Sequence, residues 1–303
     1  MVAGLVLVGA PILLSGMQNA LARHGISSSL AAVYCHQTPK VRFSGMQKSC
    51  CEVGDLLLVH AHTPRDGPTI RNALLLQAKA SSHQPYAVAG KETDQLALYR
   101  DWPRFMYHES PPLSGQERDV LPKCSHPGAQ YILIDDRPPQ DARSGLLAFS
   151  GTYPVGVCMP DAFLHDHNPF EREFVDFLRL RSGRAFLGRA EAQNDGWSAL
   201  VWDLLNAGLT KAFTRKRSGR YRARRHAGSS PDELDGYSVV SGTERWSHPS
   251  VVADAVEPEV AHVLLGLSDE SPPDERSREH PRSEDDNTGV SIVLLETSER
   301  RNQ

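Results

Sequence analysis

Residues 55–81, with the sequence DLLLVHAHTPRDGPTIRNALLLQAKAS, carry the strongest structural signal in the chain. Two apolar runs rich in leucine lie at 55–62 and 72–81, and such runs are typical of buried β-strands. The turn sequence PRDG at 64–67 separates them. The stretch therefore predicts a β-hairpin with a polar connecting loop.

Further elements surround this hairpin in the sequence. Helical periodicity with helix-ending residues predicts helices, and apolar runs that end in turn residues predict strands. The predicted helices are 14–24, 92–102, 170–180 and 197–205, and the additional strands are 30–36 and 131–134. This combination predicts an α/β protein with a mixed sheet flanked by helices. The tryptophans are expected to be packing residues.

Composition divides the chain into three parts. Residues 14–145 contain the predicted strands and are expected to form the α/β core, and residues 146–210 are expected to form a helical accessory region. Residues 211–225 contain eight Lys and Arg residues. The remainder is acidic and rich in Ser and Pro, so residues 211–303 are expected to be a basic linker and a mostly disordered tail.

The end of the second strand of the hairpin is polar. Gln77 and Lys79 share one face because side chains alternate along a strand, whereas Leu74 and Leu76 face a hydrophobic layer on the other side. A buried lysine costs several kcal/mol unless an anion is paired with it. Asp55, at the start of the neighbouring strand, is the expected partner of Lys79.

This pattern resembles the signature of the PD-(D/E)XK nuclease superfamily, the fold of many restriction enzymes and recombination nucleases. The signature is an acidic residue on one strand, here Asp55, followed one strand later by (E/D/Q)-x-K, here residues 77–79. The predicted helix 92–102 follows where the family places one. The resemblance covers about residues 14–110 and implies a restriction-endonuclease-like sheet.

The resemblance implies a role for each residue of the motif. Asp55, Gln77 and the main-chain carbonyl of Ala78 would bind Mg²⁺, and Lys79 would orient or activate the attacking water and stabilise charge on the phosphate. Magnesium prefers hard oxygen ligands, and a bound metal lowers the pKa of its water. A neighbouring cation adds electrostatic stabilisation.

The sequence departs from the family pattern at two places. Gln77 stands where an acid is commoner, and the predicted helix 14–24 contains no acid where many members carry a glutamate. Glu52, three residues before Asp55, is the candidate that would assist in its place. Gln95, on the helix that follows the motif, is a candidate contact to the substrate.

Charge patterning points to a polyanionic partner. Residues 226–303 contain 17 acidic and 6 basic residues, so the net charge of -4 hides a basic body. The basic run that follows residue 210 also contains aromatic residues, which suits phosphate contact and base stacking. The expected partner is DNA, with RNA as a further possibility, and a protein partner in a larger system is also considered. The candidate contacts in this run are Lys211, Arg215, Arg217 and Arg220.

Two alternatives to a nuclease stay open. The first is a catalytically inactive module of the same fold that binds nucleic acid or protein. The second is a zinc hydrolase built on His60 and His62, which resemble the His-x-His of amidohydrolase-type enzymes and might be joined by Asp66. That family needs a (β/α) barrel with further ligands, for which the chain offers too few βα units.

Cysteine usage and hydropathy bear on the compartment. Five cysteines, an odd number without a CxxC pair, favour reducing surroundings over a disulfide framework or a structural zinc site. Residues 1–16 are apolar, but no Lys or Arg precedes them and Pro11 interrupts them. A buried segment is therefore preferred to a cleaved signal peptide or a membrane span. The expectation is a cytoplasmic protein without a membrane partner.

Overall fold

The structure, a computed structural model, divides into two compact units. The described residues are 6, 9–33, 39–83, 85–110, 112–136, 155–165, 168–217 and 290–299. The first unit comprises 1–38, 61–69 and 202–303, and the second comprises 39–60 and 70–201. Within the described residues, no helix is long and apolar enough to cross a membrane.

The described residues form four α-helices and fourteen strands. The helices are α1 (Ala10–Ala22), α2 (Thr93–Asp101), α3 (Phe170–Leu178) and α4 (Gly196–Arg217), with short 3₁₀ turns at Gly90–Glu92 and Ala192–Asn194. The strands are β1 (Ile26–Val33), β2 (Lys40–Phe43), β3 (Cys51–Glu52), β4 (Leu56–Thr63), β5 (Ile70–Ser81), β6 (Tyr86–Ala87), β7 (Phe105–His108), β8 (Glu117–Arg118), β9 (Ala129–Asp135), β10 (Val155–Cys158), β11 (Phe163–Leu164), β12 (Asn168–Pro169), β13 (Arg184–Ala185) and β14 (Ser291–Glu299).

The second unit is built on a mixed sheet. Its strands lie in the order β4-β5-β9-β10-β12, and β13 also pairs with β5. The β5–β9 pair is parallel, and the β9–β10 and β10–β12 pairs are antiparallel. In the parallel pair, Gln77 lies opposite Tyr131 and Lys79 opposite Leu133. The predicted α/β class with a mixed sheet is therefore confirmed.

The hairpin strands are buried on both faces. Leu56, Leu57, Leu74 and Leu75 are each at most 1% exposed, so consecutive residues of both strands are buried. Continuous apolar strands of this kind are typical of sheets that are covered on both sides. Gln77 is only 5% exposed as well. Gln77 therefore lies in the interior of the second unit, whereas Ala78 and Lys79, which follow it, are only half-buried.

The first unit pairs β1 with β14. Strands β1 and β14 are antiparallel, with Ile26 opposite Glu299 and Val33 opposite Ile292. Helix α4 approaches β14 closely, because a Cβ atom on Gly208 would lie 2.4 Å from the side chain of Ile292. The apolar residues 292–295 are each at most 5% exposed. Their burial stabilises a strand within the part of the chain that was predicted to be mostly disordered.

Most predicted elements are confirmed, with shifted ends. The first helix begins four residues earlier than predicted, and β1 begins at Ile26 rather than at residue 30. Helix α4 is much longer than predicted and continues through Arg217, which takes it into the basic run. The boundaries predicted at residues 145 and 210 stay predictions.

A buried carboxylate joins three elements of the second unit. Glu173 on α3 is 8% exposed and accepts hydrogen bonds from the side chains of Gln130 at 3.0 Å, Asn168 at 2.6 Å and Ser182. These donors come from β9, from β12 and from the loop that follows α3. A carboxylate with several donors satisfies both its own oxygens and the groups that face it.

We expect Glu173→Gln to lower the free energy of unfolding by about 2 kcal/mol, because the new amide turns an NH₂ group toward hydrogen-bond donors. Chemical denaturation of the two proteins measures the difference. Glu191→Gln, at an exposed position of the same unit, is the matched control. Equal midpoints for Glu173→Gln and Glu191→Gln would contradict this prediction.

Candidate functional site

The structure brings Asp55 against the middle of the motif on β5. The Oδ2 atom of Asp55 accepts hydrogen bonds from the backbone N–H of Ala78 at 2.7 Å and from the side-chain amide of Gln77. The backbone N–H of Asp55 donates to the carbonyl of Leu76 at 3.0 Å. Because β4 begins only at residue 56, the carboxylate takes the place of a strand partner for Ala78.

Gly54 permits this approach. A Cβ atom at Gly54 would lie 2.7 Å from the hydroxyl of Tyr99 and 2.8 Å from a side-chain carbon of Leu75. Tyr99 is fully buried and donates its hydroxyl to the carbonyl of Val53 at 2.7 Å. The residue before Asp55 must therefore be small, because α2 and β5 close around the backbone at this point.

Both ends of the Gln77 side chain are bonded. Its Nε2 donates to Asp55, and its Oε1 accepts a hydrogen bond from Nε2 of Gln95. Gln95, 7% exposed on α2, also donates to the carbonyl of Glu52 at 3.1 Å. Gln95 thus holds Gln77, which in turn holds Asp55. The contact of Gln95 with substrate stays a prediction, and so does the assisting role of the Glu52 carboxylate.

Lys79 forms an ion pair with Glu92. The Nζ atom lies 2.8 Å from Oε1 of Glu92, and the other carboxylate oxygen accepts a hydrogen bond from the hydroxyl of Tyr86 at 2.7 Å. The sequence pointed to Asp55 as the partner of this lysine, but the ion pair that the structure shows is with Glu92. Neither Glu92 nor Tyr86 belongs to the motif. The sequence offered one signal for this ion pair, which is that Glu92 lies just before α2.

The local electrostatics keep Glu92 ionised and Tyr86 protonated. Burial by itself would raise the pKa of Glu92, but the hydrogen bonds from Lys79 and Tyr86 and the charges of Lys79 and Lys48 lower it overall. Burial, together with the hydrogen bond to Glu92 and its negative charge, raises the pKa of Tyr86 to about 12. At neutral pH the phenol is therefore a donor and the carboxylate an acceptor.

A loop with a further lysine is fastened to the start of α2. Asp94 is 4% exposed, and its two carboxylate oxygens accept hydrogen bonds from the backbone N–H groups of Gln47 and Lys48, each at 2.8 Å. Asp94 lies two residues after Glu92, so the loop is held beside the Lys79–Glu92 pair. Lys48 is close enough to lower the pKa of Glu92 by its charge.

The basic run is described only in part. The structure describes the backbone of Lys211, Arg215 and Arg217 as part of α4, but it does not describe their side chains. Arg220 lies outside the described residues. Their contacts with a nucleic acid stay predictions.

The zinc alternative gains no support from the described residues. They contain no group of three or more His, Cys, Asp or Glu side chains that could hold a metal ion. The ring of His60, 4% exposed, lies 6.3 Å from the ring of Phe177. In the first unit, Nδ1 of His62 lies 2.9 Å from the hydroxyl of Thr297. Zinc sites need three or four protein ligands.

Comparison with known proteins found no matching family model, no matching curated protein and no matching solved structure.

Proposed function

We propose that this protein is a Mg²⁺-dependent nuclease that hydrolyses phosphodiester bonds of DNA with a PD-(D/E)XK arrangement. The observation that carries the proposal is the contact between Asp55 and the Gln77–Lys79 segment. The carboxylate lies 2.7 Å from the backbone nitrogen of Ala78, and it bonds the side chain of Gln77. The acid and the amide are thus in direct contact, and Lys79 lies two residues beyond Gln77 on the same strand.

The donor chemistry at this point fits magnesium. The N–H and C=O of one strand residue point to the same side, so the carbonyl of Ala78 lies on the side from which Asp55 approaches. A carboxylate and a carbonyl are hard oxygen ligands, and Mg²⁺ keeps several waters and binds substrate phosphates with one or two carboxylates. Asp55 and Ala78 would hold the ion. The side-chain oxygen of Gln77 accepts a hydrogen bond from Gln95. In this arrangement Gln77 orients Asp55 through its side-chain nitrogen.

The chain's own residues then account for the remaining chemistry. A bound metal ion would supply Lewis acidity and a water of lowered pKa. The ammonium of Lys79, two residues beyond Gln77 on the same strand, would stabilise the negative charge that grows on the phosphate. Lys79 and Gln77 are mostly buried, which strengthens such electrostatic interactions because little water screens them.

The test is cleavage of supercoiled plasmid by the purified full chain, with Mg²⁺ or with EDTA. We expect Mg²⁺-dependent cleavage that falls about a hundredfold in Lys79→Met, because a preorganised charge at the phosphate is lost. Lys123→Met, which removes a more exposed lysine of the same unit, is the matched control and should retain activity. Equal activity in the wild type and in Lys79→Met, with both folded by circular dichroism, would remove the catalytic proposal.

A second function is favoured by one observation: the Gln77 oxygen that the motif assigns to the metal is already bonded to Gln95. This arrangement suits an inactive module of the same fold that binds nucleic acid. Such a protein would shift a labelled DNA duplex in a gel and leave the plasmid intact at every Mg²⁺ concentration. Mg²⁺-dependent cleavage that Lys79→Met abolishes would exclude it.

A further inference from the structure

The ion pair between Lys79 and Glu92 has the form of an occupied anion site. One carboxylate oxygen of Glu92 meets the Nζ of Lys79 at 2.8 Å, and the other accepts the Tyr86 hydroxyl at 2.7 Å. Two donors from different elements, β5 and β6, thus converge on one small anionic group. A phosphate group presents the same kind of acceptor oxygens to such donors.

The charges of two lysines act on Glu92. Lys79 is 12% exposed, so its charge is largely removed from water. The charge of Lys48 also helps to lower the pKa of Glu92, and the backbone of Lys48 is fixed to Asp94 at the start of α2. The carboxylate of Glu92 therefore meets Lys79 and the Tyr86 hydroxyl directly and lies within range of the charge of Lys48, an arrangement of donors and positive charges that also suits a phosphate group.

The placement of Glu92 permits an exchange of anions. Its side chain is 32% exposed, whereas that of Lys79 is 12% exposed. Glu92 belongs to a 3₁₀ turn of three residues with an extended residue before it and α2 after it. The glutamate thus reaches the lysine from the solvent side, and the lysine is fixed in the sheet.

We propose that Lys79, Tyr86 and Lys48 form a binding site for a phosphate group of the nucleic-acid backbone, and that the carboxylate of Glu92 occupies this site until a phosphate displaces it. The proposal rests on the proposed function for the identity of the ligand. It adds Tyr86 and Lys48 as phosphate-binding residues and assigns Glu92 the role of an internal competitor.

Binding of a fluorescein-labelled DNA duplex to the full chain in EDTA tests this proposal without cleavage. Glu92→Gln keeps the size of the side chain and removes the competing charge, so we expect about tenfold tighter binding. Glu117→Gln makes the same change of net charge at an exposed position of the same unit and should leave the affinity nearly unchanged. Affinity for Glu92→Gln that is equal to or weaker than that of a folded wild type would overturn the proposal.

Lys48→Met provides an independent arm. We expect about tenfold weaker binding and a salt dependence reduced by about one released counterion, because one phosphate contact is lost. Arg181→Met, which removes an exposed charge after α3, should change neither quantity. If Lys48→Met and Arg181→Met have the same effect, general charge explains the binding and the site is refuted. Tyr86→Phe, which keeps the ring, should weaken binding as well.

The results distinguish this inference from the nuclease proposal. Tighter binding by Glu92→Gln without any Mg²⁺-dependent cleavage would support the phosphate site and refute the nuclease. Cleavage that depends on Lys79, together with unchanged binding by Glu92→Gln, would support the nuclease and refute the phosphate site.

Discussion

Replacement of Gly196 by alanine is expected to lower the free energy of unfolding by about 4 kcal/mol or more, which places most of the chain's second unit at risk of unfolding at 37 °C. A Cβ atom at this position would lie 2.0 Å from the carbonyl oxygen of Asp119 and 2.7 Å from its carbonyl carbon. These are backbone atoms, so no rotation of a side chain relieves the overlap.

Helix α4 has little freedom to move away from this contact. Its second residue, Trp197, is fully buried and packs edge-on against Trp102 at 6.0 Å and against His126 at 5.1 Å between ring centroids. A shift of the helix start would therefore open the aromatic cluster that anchors it, and such cavities are themselves destabilising.

Urea denaturation followed by tryptophan fluorescence measures the effect of Gly196→Ala. Gly188→Ala is the matched control in the same unit, because the nearest atom to a Cβ there, on Arg71, lies 3.8 Å away. We expect the control to change the free energy of unfolding by less than about 1 kcal/mol. A Gly196→Ala protein with the wild-type midpoint would show that this close approach does not exist in solution.

His126 is expected to make the folded state sensitive to acid. The residue is 6% exposed and stacks on Trp102 with ring centroids 5.0 Å apart. Its Nδ1 accepts a hydrogen bond from the backbone N–H of Gly128 at 3.2 Å. Burial, and to a smaller degree the charge of Arg184, lowers the pKa of His126 to about 4, although Asp195 acts in the opposite direction.

The sign of the effect follows from these values. An unfolded histidine has a pKa of about 6.5, so between pH 6.5 and 4 the unfolded chain binds a proton that the folded chain excludes. The contribution of neutral His126 is complete above pH 6.5 and is lost as the pH falls toward 4. A shift of this size corresponds to about 3 kcal/mol.

Comparison with His126→Phe isolates this contribution. Phenylalanine keeps an aromatic ring against Trp102 but has no proton to gain, so its free energy of unfolding should fall less steeply between pH 6.5 and 4. Denaturation with urea at several pH values gives both curves, and the carboxylates shared by the two proteins cancel in the difference. Parallel curves across this window would refute the role of His126.

The hairpin was predictable because its signal is local. Runs of leucine and valine with a Pro-Arg-Asp-Gly turn between them leave few alternatives to two buried strands, and the structure has β4 and β5 there. Strand β14 was not predicted, because residues 292–295 are a short apolar run in charged surroundings. Their partner, β1, lies more than 250 residues away along the chain. A run of this length becomes a strand through tertiary pairing.

The candidate site was also predictable in part. Side-chain alternation predicted that Gln77 and Lys79 share one face, and the resemblance of the sequence to a nuclease signature predicted Asp55 beside them. The structure shows Asp55 bonded to Gln77. The ion pair of Lys79 with Glu92, and the bond from Gln95 to Gln77, were not predicted. Both partners arrive from the segment around α2, and its approach to the sheet is not encoded in any local spacing.

The sequence by itself determined which segments become the central strands and which polar residues lie on them, because burial of apolar side chains and alternation along a strand are local rules. Only the tertiary structure decided the partners of those polar residues. Each buried donor or charge must find an acceptor within about 3 Å, and the element that supplies it is set by the packing of the whole unit.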